Sequence, residues 1–172
     1  MSIKKYINNY NSLFTELDEV EILKNKIKKY KNSSAKKILL FGNGGSSSNC
    51  AHIATDLVKV NKIKALSFND HNLITCFAND YGFENWIKEA IKNFYSNDDF
   101  VILISSSGNS KNMLNAAKYC LKKKIKFTSL TGFNKNNPLF KLGKDNIWID
   151  SKSYNYVETA HFQILAYIVD TI

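Results

Sequence analysis

A glycine-rich turn directly follows a short apolar run near residue 40. Residues 36–41 read KKILLF, and the chain continues as GNGGSSSNCAHIATD over residues 42–56. An apolar run that ends in such a turn and then opens a helical pattern is typical of a buried parallel strand feeding a helix N-terminus. Free amides and the positive end of the helix dipole stabilise anions there, so we expect an anion and a polar substrate beside this turn.

Strands and helices alternate along the rest of the chain. The pattern predicts one or two amphipathic helices over 2–31, with apolar positions that include Leu17 and Val20. Strands are predicted at 36–41, 64–68, 100–104, 126–130 and 146–149. Helices are predicted at about 46–60, 71–77, 82–95, 110–123, near 138 and from 155. Such alternation predicts an α/β fold with a parallel sheet, whose ligand lies outside the carboxyl ends of the strands.

Composition favours one globular domain over residues 1–172. Of the 172 residues, 44% are hydrophobic and 13% aromatic, which argues against disorder. No apolar run approaches the roughly 20 residues of a membrane span, and the first residues lack a signal-like apolar core, so we expect a cytoplasmic protein. Cys50, Cys76 and Cys120 are odd in number and far apart, which predicts buried, reduced thiols rather than a disulfide framework.

The net charge of +9 arises without a single arginine. A basic chain attracts phosphate-bearing ligands or nucleic acid at long range. Alternatively, the lysines are spread over solvated helix faces, and we prefer this interpretation because nucleic-acid binding usually adds an arginine-rich patch or aromatic platforms. Nucleic acid is therefore not the expected partner.

The segment SSSGNS at residues 105–110 is the strongest phosphate-binding candidate. It stands where a strand becomes a helix, with several hydroxyls and a glycine that permits close backbone approach. The alternative is that these residues only cap the helix. No Walker lysine follows, and the turn at 42–45 lacks the dinucleotide spacing, so no nucleotide cofactor is expected.

Two pairs of titratable residues lie at helical spacing. His52 and Asp56 stand at i and i+4 on an otherwise apolar helix, so we expect a buried setting, which favours a base or a metal site over a surface ion pair. Glu158 and His161 stand at i and i+3 in the apolar last helix. Buried polar groups need partners, and mutual satisfaction of these two is the favoured interpretation.

These motifs, in this order, resemble the sugar-isomerase (SIS) domain family and, within it, the phosphoheptose isomerases. The resemblance rests on GNGGS at 42–46, His52, the AND-Y-G pattern at 78–82, S-x-SGNS-x-N at 105–112, LTG at 130–132 and a polar cluster that opens the last helix. It implies a three-layer flavodoxin-like fold with five parallel strands, an N-terminal helical arm over 1–34, and homotetramers with active sites at subunit contacts.

The resemblance also implies the substrate-binding residues. The phosphate of a sugar such as sedoheptulose 7-phosphate is expected at Ser105, Ser106, Ser107 and Ser110. The sugar is expected at Asn43, Gly44, Ser46 and Asp80. The implied role is aldose–ketose isomerisation during synthesis of a surface-polysaccharide precursor.

The chain departs from the family pattern among the catalytic residues. Asp56 occupies the position of a catalytic glutamate, one methylene shorter, and His52 matches a histidine that binds zinc in many members. Without gaps from His161, Glu158 replaces a glutamine and Ala166 replaces the last family histidine. Similarly, Asn49 stands where an aspartate is usual.

Isomerisation needs two acid/base groups. The expected catalytic residues are Asp56 with Glu158 or His52, and zinc or another divalent ion is conceivable at His52, Asp56, Glu158 and His161. The alternative is a non-catalytic sugar-phosphate-binding or assembly protein of the same fold, which the alanine at position 166 favours.

Overall fold

The structure is a computed structural model that describes residues 1–15 and 18–172, so the predicted helical position Leu17 lies outside the described residues. Five strands form its sheet. They are β1 (Ile38–Gly42), β2 (Ala65–Ser67), β3 (Phe100–Ser105), β4 (Phe127–Thr131) and β5 (Ile147–Trp148). Eight α-helices are described: α1 (Ile3–Asn11), α2 (Asp18–Lys28), α3 (Gly45–Lys59), α4 (His71–Tyr81), α5 (Trp86–Phe94), α6 (Lys111–Lys123), α7 (Pro138–Leu142) and α8 (Tyr154–Thr171). A short 3-10 helix, Ser12–Phe14, follows α1.

The five strands are parallel and lie in the order β2-β1-β3-β4-β5. The chain moves to one side of β1 to form β2 and then crosses to the other side to form β3. Between β1 and β3, where Gly42 is paired with Ile104, the connections therefore diverge. In open parallel sheets this point leaves a crevice at the carboxyl ends of the strands. The predicted five-stranded α/β fold is confirmed.

Helices cover both faces of the sheet. Side chains of β1 alternate between the faces, because Ile38 and Leu40 pack in a cluster with α2, α3 and α8, whereas Leu39 and Phe41 pack with α5 and α6. Both faces of the central strands are thus buried, which explains why β1 and β3 are apolar nearly throughout. The three layers are helices, sheet and helices.

The two helices of the predicted N-terminal arm differ in their packing. In α2, Val20, Leu23 and Ile27 are buried in the core. In contrast, α1 has no buried residue, and Tyr6 contacts α8 through an edge-on arrangement with Tyr156. Only α1 therefore has the character of a peripheral arm.

Two local predictions need correction. Helix α4 continues to Tyr81 and does not end at residue 77, so Asn79 and Asp80 belong to its last turn. Moreover, Cys76 is exposed on α4, whereas Cys50 and Cys120 are buried as expected. Cys76 is exposed because α4 packs loosely and has no buried residue.

In the parts of the chain that the structure describes, no helix combines the length and the apolar character that crossing a membrane requires.

Candidate active site

A small polar cavity of about 100 Å³ lies where β1 and β3 end. Its lining combines the turn after β1, the loop after β3 and the start of α8. The lining residues are Asn43, Ser46, Ile104, Ser105, Ser106, Ser107, Ser110, Tyr154 and Glu158. Six of the eight residues expected to bind phosphate or sugar are among them. The cavity therefore occupies the crevice that the strand order creates.

Three helices begin at this cavity without a side-chain cap at their N-cap residues. The N-cap residues of α3, α6 and α8 are Gly44, Ser110 and Ser153, and none of the three makes a side-chain capping hydrogen bond. None of these helices has an acidic residue in its first turn. Each helix start has N–H groups without an intrahelical partner and a partial positive charge, which favours an anion, although no cationic side chain lines the cavity and the Glu158 carboxyl is part of its wall.

The loop after β3 presents hydroxyl groups that the described residues leave unused. The Ser106 Oγ is buried and has no hydrogen-bond partner among the described residues. Ser110 occupies the N-cap position of α6, yet its hydroxyl does not cap the helix. Because a buried hydroxyl without a partner is costly, this arrangement is better explained by an external acceptor than by helix capping.

Gly108 and Asn137 fix the shape of this loop. Gly108 has a φ of +64°, a left-handed conformation that favours glycine, and a Cβ there would overlap the Asn137 side chain. The Asn137 amide in turn donates to the Asn134 carbonyl at 2.8 Å and to Thr131 Oγ1 at 3.2 Å. Asn137 was not singled out from the sequence. An asparagine before a proline is a common N-cap of a helix, and Asn137 also has that role at α7.

Asn43 and Asn112 connect the two loops around the cavity. Their side-chain amides exchange two hydrogen bonds, at 3.1 and 3.0 Å. Asn112 is buried in the first turn of α6, and the sequence offers no signal for its role beyond its place after SGNS. The pair holds the turn after β1 against the start of α6, and so it fixes the spacing of the two helix N-termini.

Glu158 places a carboxylate at the start of α3. A Cβ on Gly45 would overlap the Glu158 carboxylate, so the glycine is what allows this approach. Burial raises the pKa of Glu158, and a hydrogen bond from the Ser46 N–H opposes that increase. In addition, Asn49 Nδ2 donates to the Glu158 carbonyl at 2.8 Å. Glu158 is thus a partly desolvated carboxyl in the cavity wall, as an acid/base group requires.

His52 and Asp56 form a pair on the same helix, with His52 Nε2 and Asp56 Oδ2 at 3.2 Å. The expected buried setting is wrong within this chain, because the His52 side chain is 60% exposed. Its ring rests edge-on against Phe162 of α8 at 4.9 Å. Asp56 lies ten residues beyond Ser46, or about 15 Å along the helix axis, and so it is not part of the cavity wall.

His161 lies away from Glu158 and faces the sheet. It is fully buried, its Nε2 is 3.0 Å from the Thr131 carbonyl, and burial lowers its pKa to about 4. The favoured interpretation that Glu158 and His161 satisfy each other is therefore wrong. Neutral His161 fixes α8 against the end of β4.

The four residues considered for a metal do not fit one within this chain. Only His52 and Asp56 contact each other, while His161 uses its Nε2 on a backbone carbonyl. Over residues 1–15 and 18–172, no group of three or more His, Cys, Asp or Glu side chains is arranged to hold a metal ion.

The two remaining predicted sugar-binding residues lie outside the cavity lining. Gly44 has a φ of +54° and forms the N-cap of α3, where a side chain would meet no atom within 4 Å. Asp80 lies exposed on α4 and accepts a hydrogen bond from the Asn79 amide at 3.0 Å. Conversely, Tyr154 lines the cavity from the first residue of α8 and was not predicted.

Comparison with known proteins relates this geometry to one family. The SIS domain family profile matches residues 5–132. A phosphoheptose isomerase from Sulfurimonas denitrificans is 31% identical over 99% of this chain and 88% of its own length. Phosphoheptose isomerase 2 from Campylobacter jejuni is 38% identical over 62% of this chain, and that match spans 55% of the relative.

A solved structure shares the fold across almost the whole chain. The phosphoheptose isomerase structure from Neisseria gonorrhoeae superimposes with a TM-score of 0.85, covering 97% of this chain and 93% of the other. The two sequences are 22% identical, so this likeness concerns the arrangement of helices and strands.

Proposed function

This chain belongs to the SIS domain family, and we propose that it is a sugar-phosphate isomerase that interconverts the ketose and aldose forms of a heptose phosphate. The relatives named phosphoheptose isomerase favour sedoheptulose 7-phosphate or a related seven-carbon sugar as the substrate. We further propose that it acts in the cytoplasm, in the synthesis of a surface-polysaccharide precursor.

The observation that carries the proposal is the cavity where α3, α6 and α8 begin. Its helix N-termini, which have no side-chain caps, form a set of donors for a phosphate monoester together with the unpartnered hydroxyl of Ser106. A phosphate held there would fix one end of the sugar and leave its carbonyl end to reach the catalytic groups.

The reaction needs two groups that move protons. One removes the proton from the carbon next to the carbonyl, and the other transfers the hydroxyl proton, so that an enediol forms and collapses to the isomeric carbonyl. We assign Asp56 as the base, oriented by His52 at 3.2 Å. Glu158, whose pKa is raised by burial, is the first candidate for the second group, and His52 is the alternative.

Asp56 and the cavity lie too far apart along α3 to enclose one reacting carbon together. We therefore propose that the protein is a homotetramer, in which Asp56 of one subunit approaches a sugar whose phosphate is held by another. This arrangement explains why the His52 side chain is 60% exposed within a single chain.

A second candidate function is sugar-phosphate binding without catalysis. Two observations favour it: Ala166 stands where the family pattern has a histidine, and the four potential metal ligands do not converge within this chain. Such a protein would bind the same ligand and act as a sensor or an assembly factor.

An isomerase assay with sedoheptulose 7-phosphate, run with and without zinc beside calorimetric binding, separates the two functions. The enzyme is expected to turn over, and Asp56→Asn is expected to reduce the rate at least about 100-fold while binding persists. Asp70→Asn, which changes an aspartate at the start of α4, serves as the matched control and keeps full rate. Binding by the unmodified protein without turnover would establish the second function instead.

A further inference from the structure

A second and larger cavity, of about 530 Å³, lies at the amino ends of the strands, opposite the phosphate site. It is enclosed by the last turns of α2, α6 and α7 and by the amino ends of β3 and β4. Phe100 and Ser105 are the two ends of β3, so this cavity lies about 17 Å along the strand from the phosphate site. Consequently, it is not an extension of the proposed active site, and the isomerase proposal gives it no role.

The floor of this cavity is apolar and partly aromatic. Phe100 and Phe127, the first residues of β3 and β4, form it together with Leu121, Ile125 and Leu142. The Phe100 ring is held in place by Tyr30, which stacks on it with centroids 6.1 Å apart and donates a hydrogen bond to the Asp98 carbonyl at 2.9 Å. Leu121 is 50% exposed, so apolar surface remains open to a ligand.

Lysines outnumber carboxylates around the rim. Five lysines line the cavity, against the two aspartates Asp98 and Asp145. Asp145 pairs with Lys26 at 2.8 Å, and Asp98 is shared between Lys36 at 3.3 Å and Lys126 at 3.8 Å. Lys29 and Lys144 form no ion pair with any carboxylate of the described residues. The rim therefore has a local excess of positive charge above an apolar floor.

We propose that this cavity binds a small organic anion that carries a flat aromatic ring, of the nucleoside monophosphate class. The ring would lie on Leu121 and Phe127, since Phe100 is only 3% exposed beneath them, and the phosphate would contact Lys29 and Lys144. The volume is within the range of about 300–1,000 Å³ typical of small-molecule sites. Unpaired lysines beside an aromatic surface suit this ligand, because the ring is desolvated while the phosphate stays near water.

The general lysine content does not account for this combination. A second groove, lined by residues of α5 and α6, also carries several lysines, among them Lys122 and Lys123. Its lining contains one aromatic residue, Tyr119, and no phenylalanine, leucine or isoleucine. That groove therefore has lysines without an aliphatic floor, and it supplies the matched control.

Calorimetry with AMP tests the proposal, with adenosine as the partial ligand. AMP is expected to bind, whereas adenosine binds at least about tenfold more weakly, since it lacks the phosphate that the lysines contact. Lys29→Gln combined with Lys144→Gln is expected to weaken AMP at least about tenfold, and Leu121→Glu to weaken it by a similar factor. All three positions are exposed, so these variants are expected to fold.

The control variants decide where AMP binds. Lys122→Gln combined with Lys123→Gln is expected to leave AMP affinity unchanged, as is Ser106→Ala. Loss of AMP affinity in Ser106→Ala alone would place the nucleotide in the phosphate cavity and overturn the proposal. Absence of binding up to about 10 mM AMP, or full affinity in the Lys29/Lys144 variant, would overturn it equally. None of these outcomes depends on whether the chain isomerises a heptose phosphate.

Discussion

The helix starts at the phosphate cavity differ from those elsewhere in the chain. Away from the cavity, Ser2, Asp70 and Asn137 cap α1, α4 and α7 with side-chain oxygens that accept backbone N–H bonds of 3.3, 2.9 and 2.8 Å. Helix α2 begins instead with three acidic residues in its first turn. Around the cavity, α3, α6 and α8 have neither feature.

This difference indicates what the cavity donors are for. A missing cap costs about 1 kcal/mol per helix; away from the cavity, α1, α4 and α7 have side-chain caps, whereas α2 and α5 have acidic residues in their first turns. At the three helices that converge on the cavity, no N-cap side chain and no acidic residue of the first turn stabilises the helix start, and in α3 the Ser46 N–H bonds to Glu158 of another helix. The first turns of these three helices are therefore less stable in the free protein, at the site where an anion can replace the missing caps.

The largest effect is expected when a cavity helix receives a cap of its own. Ser110→Asp places a carboxylate at the N-cap of α6, where it would occupy the phosphate donors and repel the ligand. Affinity for inorganic phosphate should fall at least about 100-fold in calorimetry, while the free energy of unfolding in urea stays the same or rises by up to about 1 kcal/mol.

Ser2→Asp is the matched control for that variant, because it makes the same substitution at α1, away from the cavity. It should leave phosphate affinity unchanged. Phosphate binding by Ser110→Asp at the original strength would show that the start of α6 is not the binding site.

Removal of a single cavity hydroxyl should have the next largest effect. Ser106→Ala deletes an Oγ that has no partner among the described residues, so stability should not fall, whereas a charge-assisted hydrogen bond of about 1.5–3 kcal/mol to phosphate would be lost. Phosphate affinity should therefore drop about tenfold or more. Ser129→Ala removes an equally buried, unpartnered hydroxyl that does not line the cavity, and it should bind normally.

A cap outside the cavity should show the opposite behaviour. Asp70→Ala removes the acceptor for the Leu73 N–H, and urea unfolding should show a loss of about 1 kcal/mol. Phosphate affinity should be unchanged in the same preparation. A loss of affinity at this position would mean that the two classes of helix start are not functionally distinct.

Glu158 is expected to give the smallest effect. Its pKa is raised by burial, so the native state favours the protonated carboxyl; this contribution to stability is present at low pH and is lost as pH rises through the raised pKa. Above that pKa the carboxylate repels phosphate. Glu158→Gln should therefore bind phosphate about three- to tenfold more tightly at pH 8.

The pH dependence of that affinity ratio isolates Glu158. Phosphate titrates in both proteins alike, so the ratio of the variant's affinity to that of the unmodified protein should fall towards one as pH decreases. A ratio that does not change with pH would contradict a titrating carboxyl at the cavity.

The sequence was sufficient for the fold because the relevant signals are local. The apolar run before Gly42 and the polar loop at 105–110 predict strand ends, and parallel pairing brings such ends to one edge of the sheet. The lengths of strand β5 and helix α4 were predicted less accurately, because the ends of these elements depend on packing against neighbours and not on periodicity.

The site was predictable in its loops and less so in its helices. Spacing places Glu158 and His161 within reach of each other, but the axial rotation of α8 directs one to the cavity and the other to Thr131. Contacts of α8 with the sheet and with Gly45 and Asn49 of α3 set that rotation. The pairing of Asn43 with Asn112 is likewise a contact between distant loops that no local pattern encodes.

The most direct measurement is an amide titration of the isotope-labelled protein with sedoheptulose 7-phosphate, followed by nuclear magnetic resonance. The largest shifts are expected in the first turns of α3, α6 and α8, with no comparable shifts at the starts of α1, α4 and α7. Shifts centred on the capped helices, or no shifts at saturating sugar phosphate, would contradict the assignment of the cavity as the phosphate site.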